Sequence, residues 1–348
     1  LMRRCLPDSM SKAQPISSTV PRQYFAPLLP WQRPHWQRLR QRYPQLAHGL
    51  LLSGAAGVGK RLFADRLAAW LLCEQQTADQ ACGHCQSCQW LIADTHPNLL
   101  RISREIDPKG KQSQQIKIDQ IRELMPFVQQ TGHGWRVVII EPADCLNHAA
   151  SNALLKTLEE PSERVLLLLV ADQALQLSAT IRSRLQQIPL GRIAHDQALA
   201  YVQDEAQLNR TAATVALNLA GGAPLAALQL LTAEWYALRV AWLHDWQALV
   251  SGRIAAVTLS QHWQKKLSLP DWLRLLQVML RDVQALHTGQ SIQQLDLDLT
   301  AMQQQYSIAS LWVLYDQVLQ LTAGQAQHVQ PALVYDSLMQ QLVNDCVA

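Results

Sequence analysis

The chain has 348 residues, of which 49% are apolar and 16% charged, with a formal net charge of +3. Such a length holds two or three domains with proper cores, and the composition is that of a folded globular protein, which excludes a disordered chain. The charge is too small to argue for nucleic acid by itself, and apolar runs such as Val165–Ala171 are far too short to span a bilayer. Seven cysteines, most of them clustered, point to metal in a reducing cytosol and away from a disulfide scaffold.

Residues 1–22 are polar, contain Ser and Pro, and are weakly basic through Arg3, Arg4 and Lys12. They lack the apolar core of a secretory signal and are expected to be a disordered leader, with an organelle transit peptide as the alternative. Trp36-Gln-Arg-Leu-Arg-Gln-Arg42 has helical character. The run Gly49-Leu-Leu-Leu-Ser53 predicts a strand, and Leu62 to Leu72 has the spacing of a helix. Between them lies Gly54-Ala-Ala-Gly-Val-Gly-Lys60. Strand, glycine loop and helix is the setting of a phosphate-binding loop. Gly54, Gly57 and Gly59 would let backbone N–H groups wrap an anion at a helix N-terminus, and Lys60 would reach the outer phosphates. One position departs from the pattern. Arg61 stands where Ser or Thr would ligate Mg²⁺, and a guanidinium repels a metal ion.

Cys73, Cys82, Cys85 and Cys88 follow, within sixteen positions. Two adjacent C-x2-C steps fold around one tetrahedral ion, and the helix ending near Cys73 delivers the fourth thiolate. Zn²⁺ in a closed structural site fits best, with an iron–sulfur cluster or free thiols as alternatives. His84, inside the knuckle, is expected to be a solvated loop residue. The insertion is placed at about residues 73–95.

Farther on, Asn98 to Ser103 reads as a strand, Arg104 to Gln115 as an exposed loop, and Ile118 to Leu124 as a helix start with Asp119 as N-cap. Trp135 to Ile140 and Arg164 to Val170 are buried strands, the second without polar alternation, and Asn147 to Glu160 between them is a helix. Strands alternating with helices argue a parallel α/β sheet. From His195 onward the pattern is helical. Gly221-Gly-Ala-Pro224 is the expected hinge, and the Trp residues beyond it are expected to anchor a helical core.

Two strand ends bear on chemistry. Ile140 leads to Glu141-Pro142, where a phosphate-loop ATPase needs an acidic pair, and proline cannot orient a water. Val170 leads to Ala171-Asp172, with no hydroxyl or amide at Ala171 to sense a γ-phosphate. Arg61, Pro142 and Ala171 together argue against hydrolysis by this chain, and whether the loop still takes nucleotide is left open.

The four cysteines, Thr95-His-Pro97, Ser151-Asn-Ala-Leu-Leu-Lys-Thr-Leu-Glu-Glu-Pro161 and Ala179-Thr-Ile-Arg-Ser-Arg184 resemble the delta-prime family of bacterial DNA polymerase III clamp-loader subunits, within the AAA+ class. The match is strong over about residues 46–190. In the helical remainder it extends only to length and type. The family's Ser-Arg-Cys motif stands here as Ser183-Arg184-Leu185. The resemblance implies an α/β AAA+ module with parallel sheet and zinc-binding insertion at 23–190, a small helical lid at 191–235 and an all-α collar for oligomerisation at 236–348. It implies a cytoplasmic hetero-pentamer with gamma/tau and delta subunits that loads a sliding clamp onto primed DNA as part of the DNA polymerase III holoenzyme. It also implies no intrinsic ATPase activity, with Arg184 presented in trans to ATP on a neighbour. The enzyme-class alternative is an ATP-hydrolysing gamma-like subunit. A zinc-dependent DNA-binding module would need cationic residues around the cysteines, and Gly83, His84, Gln86, Ser87 and Gln89 supply none.

Overall fold

The computed structural model describes residues 23–107, 110, 112–130, 134–323 and 330–346, so the expected leader at 1–22 lies outside the described residues. The chain divides into two units, one made of the residues up to Ala55 with Gly59–Arg192, the other of Ala56–Val58 with Ile193–Ala348.

In chain order the first unit runs α1 (Arg33–Arg42), β1 (Gly49–Ser53), α2 (Lys60–Leu72), α3 (Gln86–Ile92), β2 (Leu99–Ile102), α4 (Ile118–Arg122), α5 (Leu124–Gln129), β3 (Arg136–Ile140), α6 (His148–Glu159), β4 (Val165–Ala171), α7 (Ala179–Ser183) and β5 (Gln186–Pro189). The five strands form one sheet in the order β2-β3-β4-β1-β5, every pair parallel. All of β3 and β4 is buried, which is why their sequences are apolar without alternation. From Phe63 to Leu72 every residue of α2 is buried as well. In a parallel sheet the C-terminal strand ends share one edge, and ligands bind in the crevice there. The glycine loop after β1, Glu141 after β3 and Asp172 after β4 therefore converge, although they are far apart in sequence.

Gly49 opens β1 for a steric reason. A Cβ there would lie 2.5 Å from Leu185 Cδ2 and 3.3 Å from Leu158 Cδ2. The end of α6 and the α7–β5 junction thus close over a backbone that carries no side chain. His48 adds a bond between its Nε2 and the Leu158 carbonyl, at 3.1 Å.

The expected helix at Ile118 forms, but its cap differs. Asp119 lies inside the first turn and pairs with Arg122 at 2.9 Å, while the N-cap is Lys117, whose N–H donates to Gln120 Oε1 at 3.0 Å. The cap's backbone N–H is thus bonded by the side chain of Gln120, the third residue of the helix, while Asp119 is paired with Arg122.

The second unit is helical: α8 (His195–Ala206), α9 (Arg210–Leu219), α10 (Pro224–Leu230), α11 (Glu234–Ala237), α12 (Arg239–Val250), α13 (Ala256–Lys266), α14 (Leu269–His287), α15 (Thr300–Gln305), α16 (Ile308–Thr322) and α17 (Pro331–Asn344). One apolar cluster joins α8, α9 and α10 through Leu199, Val202, Leu217 and Ala227. The exposed Gly221–Gly222 turn links α9 and α10, both of which pack in this cluster, within the second unit. A larger cluster spans Trp235 to Leu342. At its centre Trp242 packs edge-on against Trp263 and Trp272, with ring centroids 5.1 and 5.6 Å apart. Trp246 Nε1 donates to the Tyr306 hydroxyl at 2.9 Å, which donates to Leu342 O at 2.6 Å, so Trp246 and Tyr306 are satisfied as well as buried. Trp242 Nε1 and Trp272 Nε1, in contrast, are buried without a hydrogen-bond partner among the described residues. Trp312 on α16 breaks the expected pattern, being 56% exposed. No single described helix is long and apolar enough to cross a membrane.

Candidate functional site

The glycine loop has the expected backbone. Gly57 and Gly59 sit at φ 82° and 85°, where an L side chain is strained, and Gly59 caps α2 so that Lys60 is its first residue. Gln32, itself buried, donates from Nε2 to Gly59 O at 2.8 Å and ties α1 to the loop. The Lys60 side chain turns inward and is 5% exposed. Its ammonium donates to Gly54 O at 2.7 Å and Ala55 O at 2.8 Å, and pairs with Asp172 Oδ1 at 2.5 Å. An ammonium has three donors, and all three are engaged within the chain. Arg61 Nε lies 3.0 and 2.8 Å from the two carboxylate oxygens of Glu141. The two cations of the loop are therefore neutralised by the carboxylates that follow β4 and β3. Pro142 and the fully buried Ala171 offer no group to orient a water or sense a phosphate. The sequence places Asp172 beside Ala171 but says nothing of its pairing, which arises only when β1 and β4 lie side by side.

The four cysteine sulfurs all lie within 4.8 Å of one another. Cys73 to Cys85 and Cys82 to Cys88 are each 3.9 Å. Tetrahedral zinc with Zn–S bonds of about 2.3 Å requires sulfurs about 3.8 Å apart, so the donor set fits that ion. N–H groups of Gln75 and Cys82 point at Cys73 Sγ, and that of Cys85 at Cys82 Sγ, as thiolates require. Burial pushes the Cys73 and Cys88 thiols up from their ordinary range, a cost that a bound dication reverses. His84 is exposed and outside the cluster. A relay supports the knuckle. Asn98 N donates to His96 Nδ1 at 3.0 Å, which leaves Nε2 as the donor to Ser87 Oγ at 2.7 Å, and Ser87 donates to Leu72 O at 2.5 Å.

Arg184 is the C-cap of α7. Its Nη1 donates to Thr180 O at 3.0 Å, and its Nη2 pairs with Glu159 Oε1 on the last turn of α6 at 2.7 Å. Both side chains are partly exposed, at 34% and 49%. Glu159 carries no signal in the sequence beyond its place in Leu158-Glu-Glu-Pro161. Nor does the buried pair of Asp65 on α2 with Arg101 on β2, which also donates to the Tyr24 hydroxyl at 3.2 Å.

A family model described as "DNA polymerase III, delta subunit" matches residues 31–194. The delta-prime subunit of Pseudomonas aeruginosa DNA polymerase III is 39% identical over 69% of this chain and 72% of its own length. The chain belongs to the DNA polymerase III delta-prime subunit family. The Escherichia coli delta-prime subunit is 32% identical over 71% of this chain and 69% of its own. The Escherichia coli tau subunit is 34% identical over 44% of this chain and 23% of its own length.

Proposed function

We propose that this family member is a non-hydrolysing subunit of the bacterial replicative clamp loader. It is an AAA+ module at 23–190, followed by a helical lid at 191–235 and a helical collar at 236–348. The observation that carries this reading is the internal neutralisation of the loop cations, Lys60 by Asp172 and Arg61 by Glu141. Hydrolysis in a phosphate loop needs a lysine free for the β- and γ-phosphates, a hydroxyl on Mg²⁺ and a group that orients the attacking water. Lys60 is engaged, Arg61 replaces the hydroxyl, and Pro142 stands at the water-orienting position.

The delta-prime and tau relatives support partners of the gamma/tau type, and the family resemblance adds delta, in a cytoplasmic hetero-pentamer acting on the sliding clamp and primed DNA. In this assembly Zn²⁺ at Cys73, Cys82, Cys85 and Cys88 has a structural role. Arg184 acts in trans, its guanidinium neutralising charge that builds on the phosphoryl group transferred at a neighbour's site.

Two measurements test the reading. Highly purified chain should show no Mg²⁺-dependent ATP hydrolysis. If it does, and Lys60→Ala abolishes it, the gamma-like alternative takes its place. In the assembled complex, Arg184→Ala should leave folding and assembly intact and lower clamp- and DNA-stimulated ATP turnover. Arg184→Lys should restore little, because an ammonium lacks the planar fork, and Arg182→Ala should be milder. Equal turnover for wild-type and Arg184→Ala complexes would reduce Arg184 to a surface residue.

A further inference from the structure

We infer that Glu159 is a positioning residue that holds the Arg184 guanidinium in the orientation it presents to a neighbouring subunit. This rests on the in-trans reading of Arg184 and adds to it the group that aims the side chain. The guanidinium has five N–H donors in one plane. One is fixed by Thr180 O on the preceding turn and one by Glu159 Oε1 on a different helix. Two anchors from two elements define both the position and the tilt of a planar group. Three donors remain without a partner among the described residues, and they are the ones available to an anion on a neighbour.

The platform beneath is closely packed against β1. Gly49 lets Leu158 and Leu185, the residues next to Glu159 and Arg184, approach the β1 backbone closer than a Cβ permits. His48 holds the last turn of α6 through the Leu158 carbonyl. The two side chains thus spring from backbone that is locked to the same strand. Electrostatics favours the arrangement too. A carboxylate in the last turn of a helix faces the negative end of the macrodipole, and the Arg184 cation offsets that repulsion. As an energy of folding the pair is small because both groups are partly exposed. Its value lies in orientation, since misplacing a catalytic group by about 1 Å can cost on the order of 100-fold in rate.

The experiment is ATP turnover by the assembled complex, with clamp and primed DNA, for Glu159→Ala and Glu159→Gln in wild-type and Arg184→Ala backgrounds. Glu159→Ala should lower kcat by about three- to tenfold with KM for ATP unchanged, a fraction of what losing the arginine costs. Glu159→Gln, which keeps an acceptor oxygen, should recover most of that loss. In the Arg184→Ala background neither substitution should have a further effect. Melting temperature and complex recovery establish that each variant is folded and assembled. Unchanged turnover in Glu159→Ala, with Arg184→Ala impaired, overturns the positioning role and spares the arginine. Increased turnover in Glu159→Ala overturns it as well, because the carboxylate would then be a competitor for the guanidinium. A loss that persists without Arg184 overturns it too. If Arg184→Ala itself has no effect, the in-trans reading fails and this inference falls with it.

Discussion

Lys60 is a buried cation whose three donors face two carbonyls and one carboxylate of its own chain. For an incoming triphosphate to use it, the ammonium would first have to leave Asp172. ATP at 1 mM should accordingly leave the melting temperature of the wild-type chain unchanged, since a ligand with Kd above about 1 mM stabilises by less than about 0.4 kcal/mol at that concentration. Asp172→Asn removes the competing charge and keeps the shape. It should give a measurable heat of pyrophosphate binding in calorimetry where the wild type gives none, with a loss of stability of about 1 kcal/mol, because Asp172 is half exposed. Tighter anion binding by the wild type than by Asp172→Asn would show that Asp172 does not close the loop.

At the scale of elements, the cysteine knuckle and α3 form a module fastened at one end by sulfur and at the other by the His96–Ser87–Leu72 relay. Removing the metal, by chelation or by Cys85→Ser, should raise hydrogen exchange across residues 73–95 and leave β1, β3 and β4 protected, with one zinc per chain lost by elemental analysis. The relay makes a separate prediction about pH. Burial lowers the His96 pKa, and Nδ1 must stay an acceptor for Asn98 N. Below about pH 6.5 the unfolded chain therefore binds more protons at this position than the folded one, so stability falls as pH falls through and below that value. His96→Gln should flatten this slope between pH 7 and 5, and an unchanged slope would locate the sensitivity elsewhere. Much of this module is legible in the sequence, because ligand spacing and a glycine loop are local patterns. Strand order is not, and with it go the partners of Lys60 and Arg61, the latter eighty positions from Glu141. The cap of α4 is also hidden, because the helix starts one residue before Asp119, with Lys117 as its N-cap and Gln120 bonding back to it. Helical spacing marks Trp242, Trp246, Trp263 and Trp272 as core, yet it marks Trp312 in the same way, and only the packed bundle shows that α16 turns that ring outward.

For the whole molecule, the helical unit holds two separate apolar clusters, with Ala227 in the first and Trp235 opening the second. A chain ended at Ala233 should keep the sheet and the three-helix cluster, with cooperative melting and intact zinc content. It should fail to enter the loader complex if residues 236–348 are the collar. Recovery of a full-affinity complex from that truncation would remove the oligomerisation role. Within the larger cluster Trp242, Trp246, Trp263 and Trp272 are fully buried, and Trp263→Ala should cost about 3–5 kcal/mol, measured as a shift of the denaturation midpoint for that unit.

A ligand shifts a conformational equilibrium only by the difference between its affinities for the two states. With the loop cations already paired to Asp172 and Glu141, nucleotide has little differential affinity to exert here. Under the proposed function, such a chain should not change population as ATP levels rise and fall. In the proposed assembly, set among neighbours whose shapes respond, it would serve as the fixed frame of reference: its Arg184 would keep one orientation through their cycle, and the timing would be written into the other subunits.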